Sequence, residues 1–104
     1  MGAVYSTCFF QGLASPDGTT VGPFSGTVVV RDVEFTAPAA PAGVVCVDSV
    51  GAAIAYVVAG DVDAAGYASD HWTGRQVIEP GDTLTVIGLT GAESARVSGY
   101  LLGA

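Results

Sequence analysis

A chain of 104 residues has the size of one domain, Met1 to Ala104, with a single core. Half of it is apolar and only 12% is charged, which excludes intrinsic disorder, because disordered chains lack the apolar residues that a core needs. Three arginines, no lysine and ten acidic residues give a net charge of −7, leaving no positive stripe for nucleic acid or for an anionic membrane surface.

The N-terminal Met1-Gly2-Ala3-Val4-Tyr5 has no charged region and no long apolar run, so no secretory signal is expected and the chain reads as soluble and cytoplasmically folded. Val4 to Gln11 is aromatic and β-branched, a strand, and Ser15-Pro16-Asp17-Gly18 is a turn. Gly26 to Thr36 is the strongest strand signal. Strict alternation places Val29, Arg31, Val33 and Phe35 on the buried face, with Arg31 near the core side, and Asp32 and Glu34 outward. Two prolines make Ala37 to Gly43 a loop. Val44 to Asp48 and Ala52 to Ala59 form a strand pair joined through Ser49-Val50-Gly51, and the alternation of Ile54, Tyr56 and Val58 argues against a helix there. Asp61 to Tyr67 is a polar loop. Trp72 to Ile78 and Asp82 to Leu89 read as a hairpin around Glu79-Pro80-Gly81-Asp82, whose Pro-Gly centre signals a type II turn. Ala92 to Leu102 is the last strand. About seven or eight short strands at regular spacing predict an all-β fold, a single-domain β-sandwich or small barrel that is jelly-roll-like.

The chemistry expected of these residues is structural. His71 lies between Asp70 and Trp72, but neighbours on a strand point to opposite faces, so no triad is expected. Asp61-Val62-Asp63-Ala64-Ala65-Gly66 opens like a calcium loop, then offers Ala65 at the fifth position and Trp72 at the twelfth, where ligands are needed. No catalytic residue, cofactor site or metal site is assigned. Cys8 and Cys46 are expected as reduced thiols packed as small hydrophobes, the alternative being a disulfide between neighbouring strands. The acidic residues of the loops, among them Asp17, Asp61, Asp63, Asp70, Asp82 and Glu93, are expected to be solubilising surface charge. Trp72, Tyr5, Tyr56, Tyr67 and Tyr100 are expected in the core or at subunit contacts, with sugar stacking as the competing role. Arg31, Arg75 and Arg96 are expected to lay their stems on apolar surface and fork onto carboxylates. Arg31, Trp72, Arg75, Arg96 and Tyr100 are therefore the structural or interface candidates. High apolar content in a small chain predicts oligomerisation.

Four stretches carry a resemblance: Gly26-Thr27-Val28-Val29-Val30-Arg31-Asp32-Val33, Trp72-Thr73-Gly74-Arg75-Gln76-Val77-Ile78, Pro80-Gly81-Asp82-Thr83-Leu84 and Val97-Ser98-Gly99-Tyr100-Leu101-Leu102. With these the chain resembles small structural proteins, tail or capsid-decoration, of tailed bacteriophages infecting actinobacteria. The resemblance spans most of the chain from Gly26 onward. It implies a non-enzymatic virion protein assembled in the bacterial host cytoplasm. Its partners would be copies of itself, as a homo-oligomer with a trimer foremost, and the major capsid or tail proteins. The other reading of the residues is a stand-alone β-sandwich carbohydrate-binding module.

Overall fold

The computed structural model describes residues 4–102, with side chains from Thr7 onward. Met1, Gly2 and Ala3, the side chain of Tyr5, and the C-terminal Gly103 and Ala104 lie outside the described residues. Eight strands and no helix fill the described chain: β1 (Val4–Leu13), β2 (Thr19–Val21), β3 (Thr27–Ala37), β4 (Ala42–Val47), β5 (Ala53–Ala59), β6 (Ala68–Ile78), β7 (Leu84–Gly88) and β8 (Ser94–Leu102).

They form two four-stranded antiparallel sheets. Sheet A has the order β1-β8-β3-β6 and sheet B the order β2-β7-β4-β5. The pairs β1–β8, β2–β7, β3–β6 and β4–β5 are those of one long hairpin rolled onto itself, so the expected β-sandwich is present, in jelly-roll order. Val28, Val30, Val33, Phe35 and Val97 of sheet A meet Val44, Cys46, Val57, Leu84 and Val86 of sheet B, all buried. Burying a Val, Leu or Phe side chain is worth roughly 1.5–3 kcal/mol, so this interlayer core is the dominant stabilising element.

The middle of sheet A departs from the expected alternation. Between Val30 and Asp32 the register slips on both neighbours of β3: against β8, Arg31 is an extra residue, a β-bulge, whereas β6 sets two residues, Gly74 and Arg75, opposite it. The bulge reverses the side-chain phase, so Val28 and Val30 point inward before it and Val33 and Phe35 after it. Arg31, placed near the core by strict alternation, is exposed, and Val29 falls on the outer face. A second bulge at Phe9 of β1 faces the same stretch of β8. It lets both Phe9 and Phe10 pack on the core, where Phe9 meets Phe24 edge-on at a centroid distance of 5.8 Å.

The Pro-Gly turn also has a different role from the one expected. It is a type II turn: Gly81 has φ +86°, a value glycine adopts without a Cβ clash, and the Asp82 N–H donates to the Glu79 carbonyl at 3.1 Å. Yet β6 pairs with β3 and β7 pairs with β2 and β4, so no hairpin forms. The turn instead carries the chain from sheet A to sheet B. Its landing is fixed by Phe24, which donates to the Asp82 carbonyl at 3.0 Å and accepts from the Gly81 N–H at 2.7 Å. The β4–β5 pair does form, around Ser49, Val50 and Gly51. The three-residue β2 is a strand that the sequence reading left unassigned.

Candidate functional site: two sheet faces of opposite character

The four strands of sheet B read TTV, AGVVCV, AIAYVVA and LTVIG, without a charged residue. All three arginines and the histidine sit in sheet A strands, where they are balanced by Asp32, Glu34 and Asp70. The other seven acidic residues lie in loops and account for the whole net charge of −7. The sandwich thus has acidic ends, one face of mixed charge and one face of none.

On the outer face of sheet B, Val45 lies opposite Ile87 on one side and Tyr56 on the other, and Val47 opposite Thr85. Leu89 and Val58 close over Gly43, where an added Cβ would meet them at 2.8 and 3.2 Å. Tyr56 is 60% exposed, Leu89 44% and Val58 39%, so three large apolar side chains on this face remain largely open to solvent. The Thr20 and Thr85 hydroxyls, 2.9 Å apart, bond each other at one margin.

The outer face of sheet A has two halves. Before the Arg31 bulge on β3, Tyr100, Val29 and Val77 lie side by side across three strands. After it, Gln11, Arg96, Glu34 and His71 form one continuous row across all four strands. The next row, towards the loops, holds the exposed Leu13 at its β1 end and then the short Ser94, Thr36 and Ser69. Long side chains beside short ones leave a shallow groove of about 540 Å³.

The five candidates named from sequence are thus dispersed over sheet A. Arg31 stands at the bulge opposite the Gly74–Arg75 stretch of β6, and both arginines are exposed. Arg96 lies in the polar row. Tyr100 belongs to the small apolar patch. Trp72 serves packing: it is half-buried against the core, and its indole ring covers Gly74 so closely that a Cβ there would collide with it. A ring held in that way is not offered to a stacked sugar.

Glu93, read from sequence as surface charge, is fully buried. Its Oε2 accepts from the Gly43 N–H at 2.9 Å and from the Thr90 hydroxyl at 2.9 Å, while its Oε1 accepts from the Gly91 N–H at 3.0 Å. The Thr90 N–H is shared between both oxygens at 3.1 and 3.2 Å. Burial works to raise this carboxyl's pKa, but the hydrogen bonds from Gly43 and Thr90 outweigh it and hold the value below the usual carboxylate range. The signal in the sequence was Thr90-Gly91-Ala92-Glu93, the Thr-x-x-Glu spacing of a capping box, here closing a loop with no helix behind it.

Other loop carboxylates also tie turns. Asp48 accepts from the Val50 and Ala52 amides at 3.0 and 2.9 Å, and Asp63 in the same way from Ala65 and Tyr67 at 2.9 and 3.0 Å. Of the two carboxylates in the calcium-like stretch, that of Asp63 is therefore engaged in closing its own turn. Asp82 has its pKa held down chiefly by the Ser49 hydroxyl, helped by the Thr83 amide.

Both cysteines are free. They lie in different sheets, Cys8 exposed on edge strand β1 and Cys46 buried on β4, so the neighbouring strands that a disulfide needs are not there. Burial pushes the Cys46 thiol up to about 12. A thiol-reactive reagent at neutral pH is expected to label Cys8 alone, and Cys46 only on unfolding. Mass spectrometry of the labelled peptides, with and without denaturant, checks this.

No protein-family model matches the chain, and no curated protein matches it in sequence.

Proposed function

We propose that this protein is a non-enzymatic virion structural protein of a tailed bacteriophage, a capsid-decorating or tail-associated subunit whose uncharged sheet is buried between copies. The observation that carries the reading is the face of sheet B, four strands without a charge in a chain of net charge −7. Copies of an acidic chain repel one another at their loop ends, and desolvating a carboxylate without a partner is costly. The face of sheet B is where two copies meet without either penalty. Assembly in the host cytoplasm and residence on the particle follow from the resemblance to phage structural proteins. The jelly-roll order, which recurs in viral capsid domains as in lectins, supports it as an analogy of fold.

Size sets the strength of such a contact. Four strands about 4.8 Å apart and about 20 Å long present roughly 300–400 Å². A stable interface buries about 800 Å² per partner. Pairing through this face alone is therefore weak, and a particle would gain its hold from many simultaneous contacts. Face-to-face contact gives a two-fold dimer. The trimer suggested by the resemblance needs a heterologous contact, for which exposed Tyr100 and Val77, either side of Val29 on the next copy, offer an apolar surface.

Light scattering over a dilution series tests the reading. The mass of the native protein is expected to rise with concentration, whereas Tyr56→Asp, a change at a 60% exposed position, is expected to fold and stay monomeric. A native protein that remains monomeric throughout would remove self-assembly from the proposal.

A further inference from the structure

The groove on the outer face of sheet A is left open by a two-fold dimer through sheet B, and its lining has a definite chemistry. The row Gln11–Arg96–Glu34–His71 takes one residue from each strand of the sheet, so its register is set by the backbone ladder. At a strand spacing of about 4.8 Å the row extends about 14 Å, the length of a short oligosaccharide. Carboxamide, guanidinium, carboxylate and imidazole follow one another along it, planar groups that present donors and acceptors side by side. Beneath them, Ser94, Thr36 and Ser69 add hydroxyls, and Phe35 and Ala95, whose side chains turn into the core, add only main chain.

This lining discriminates among ligands. An apolar ligand would strand the polar groups of the row without partners. An anion would meet Arg96, but also Glu34 beside it and Asp70 on the rim. Among the described residues no group of three or more acidic, histidine or cysteine side chains is placed to hold a metal ion. A neutral, polyhydroxylated chain satisfies the row, since vicinal hydroxyls match planar bidentate groups as both donors and acceptors. The volume, about 540 Å³, falls within the range of about 300–1,000 Å³ usual for small-ligand sites.

We infer that the groove of sheet A binds a short neutral glycan, gripped by Gln11, Arg96, Glu34 and His71. No phenyl, phenol or indole ring faces the groove, since Phe35 turns into the core, so the grip is by hydrogen bonds and one copy binds weakly, at millimolar affinity. Sheets A and B face opposite ways, so the site stays open in a two-fold dimer through sheet B. It is equally open in a monomer, and the inference stands or falls apart from the assembly reading.

The test is a heteronuclear NMR titration of the full chain, held dilute, with maltotriose, cellotriose and the trimer of N-acetylglucosamine, and with inorganic phosphate and trigalacturonate as anionic probes. At least one neutral trisaccharide is expected to move the amide signals of Gln11, Glu34, Thr36, Ser69, His71 and Ser94 in a saturable way. Arg96→Ala and Glu34→Ala alter exposed side chains, and with spectra that remain dispersed each is expected to weaken that binding about tenfold or more. Tyr56→Asp, on the opposite sheet, is expected to leave it unchanged. The inference is overturned if no neutral trisaccharide shifts these signals at millimolar concentration, if the shifts fall elsewhere on the surface, or if only the anions act.

Discussion

Replacing Glu93 by alanine is expected to destabilise the protein by about 3–5 kcal/mol, a large part of the roughly 5–15 kcal/mol that holds a domain of this kind together. The carboxylate stands where three segments meet. It accepts from Gly43 at the start of β4 and from Thr90 and Gly91 after β7, while its own main-chain carbonyl accepts from Ala14 beyond β1 at 2.8 Å. Removing it leaves the buried Gly43 N–H without an acceptor, at a cost of about 1–3 kcal/mol, and also deletes charge-assisted bonds worth about 1.5–3 kcal/mol each. The Thr90 and Gly91 amides sit nearer solvent and recover part of their loss from water. Glu93→Gln keeps one acceptor oxygen but turns an NH₂ towards N–H donors, so it should fall between native and alanine. Urea denaturation of the three proteins checks the order.

The same group sets an acid limb. Its folded pKa is lowered relative to the ordinary value of about 4.3, so its stabilisation is fully present above that value and disappears as pH falls through the folded pKa. The stability gap between native protein and Glu93→Ala should therefore be constant near neutrality and narrow on acidification below about pH 4. A gap that stayed constant to low pH would show that the loop is held by something other than the ionised carboxylate.

Much of the sandwich was legible because its signals are local. Alternation of Ile54, Tyr56 and Val58 marks Ala52 to Ala59 as a strand, Ala92 to Leu102 reads as the last one, and the structure has them as Ala53–Ala59 and Ser94–Leu102; Pro80-Gly81 marks the turn type. What failed was information held by more than one strand. A Pro-Gly turn reverses the chain but says nothing about which sheet receives the next strand, so β6 and β7 were read as a hairpin. In Val28-Val29-Val30-Arg31-Asp32-Val33, either valine phase could be the buried one, and only the pairing with β8 and β6 shows that both are, on opposite sides of a bulge. Three residues of β2 are too few to show a period.

The candidate surfaces divide in the same way. That Val44–Val47, Ala53–Ala59 and Leu84–Gly88 lack charge can be read from the chain, but their union into one uncharged face requires the topology. The groove was invisible for a similar reason. Gln11, Glu34, His71 and Arg96 are far apart in sequence, and cross-strand register alone brings them into line.

Gly99→Ala is expected to cost about 3 kcal/mol or more, at or beyond the upper end for overpacking a core, because the obstruction is main chain rather than a side chain that can rotate away. Gly99 lies on β8 opposite Val30, where Arg31 is squeezed into β3 and the two backbones close up. An added Cβ would be driven into the Val29 carbonyl oxygen and would stand 3.0 Å from the Arg31 nitrogen. β8 and β3 are the two inner strands of sheet A, so relief requires parting its central pair or undoing the bulge. Undoing the bulge would slip the register by one residue and turn either Val28 and Val30 or Val33 and Phe35 out of the core. Gly60→Ala is the matched control. No heavy atom lies within 4 Å of the Cβ it would add, and its expected effect is within about 0.5 kcal/mol. Urea midpoints of the two variants separate the explanations. A large loss at Gly99 with none at Gly60 places the cost in the close approach at the bulge. Equal small effects would mean that β8 and β3 do not close on each other in solution, and the phase reversal at Arg31 would lose its physical basis.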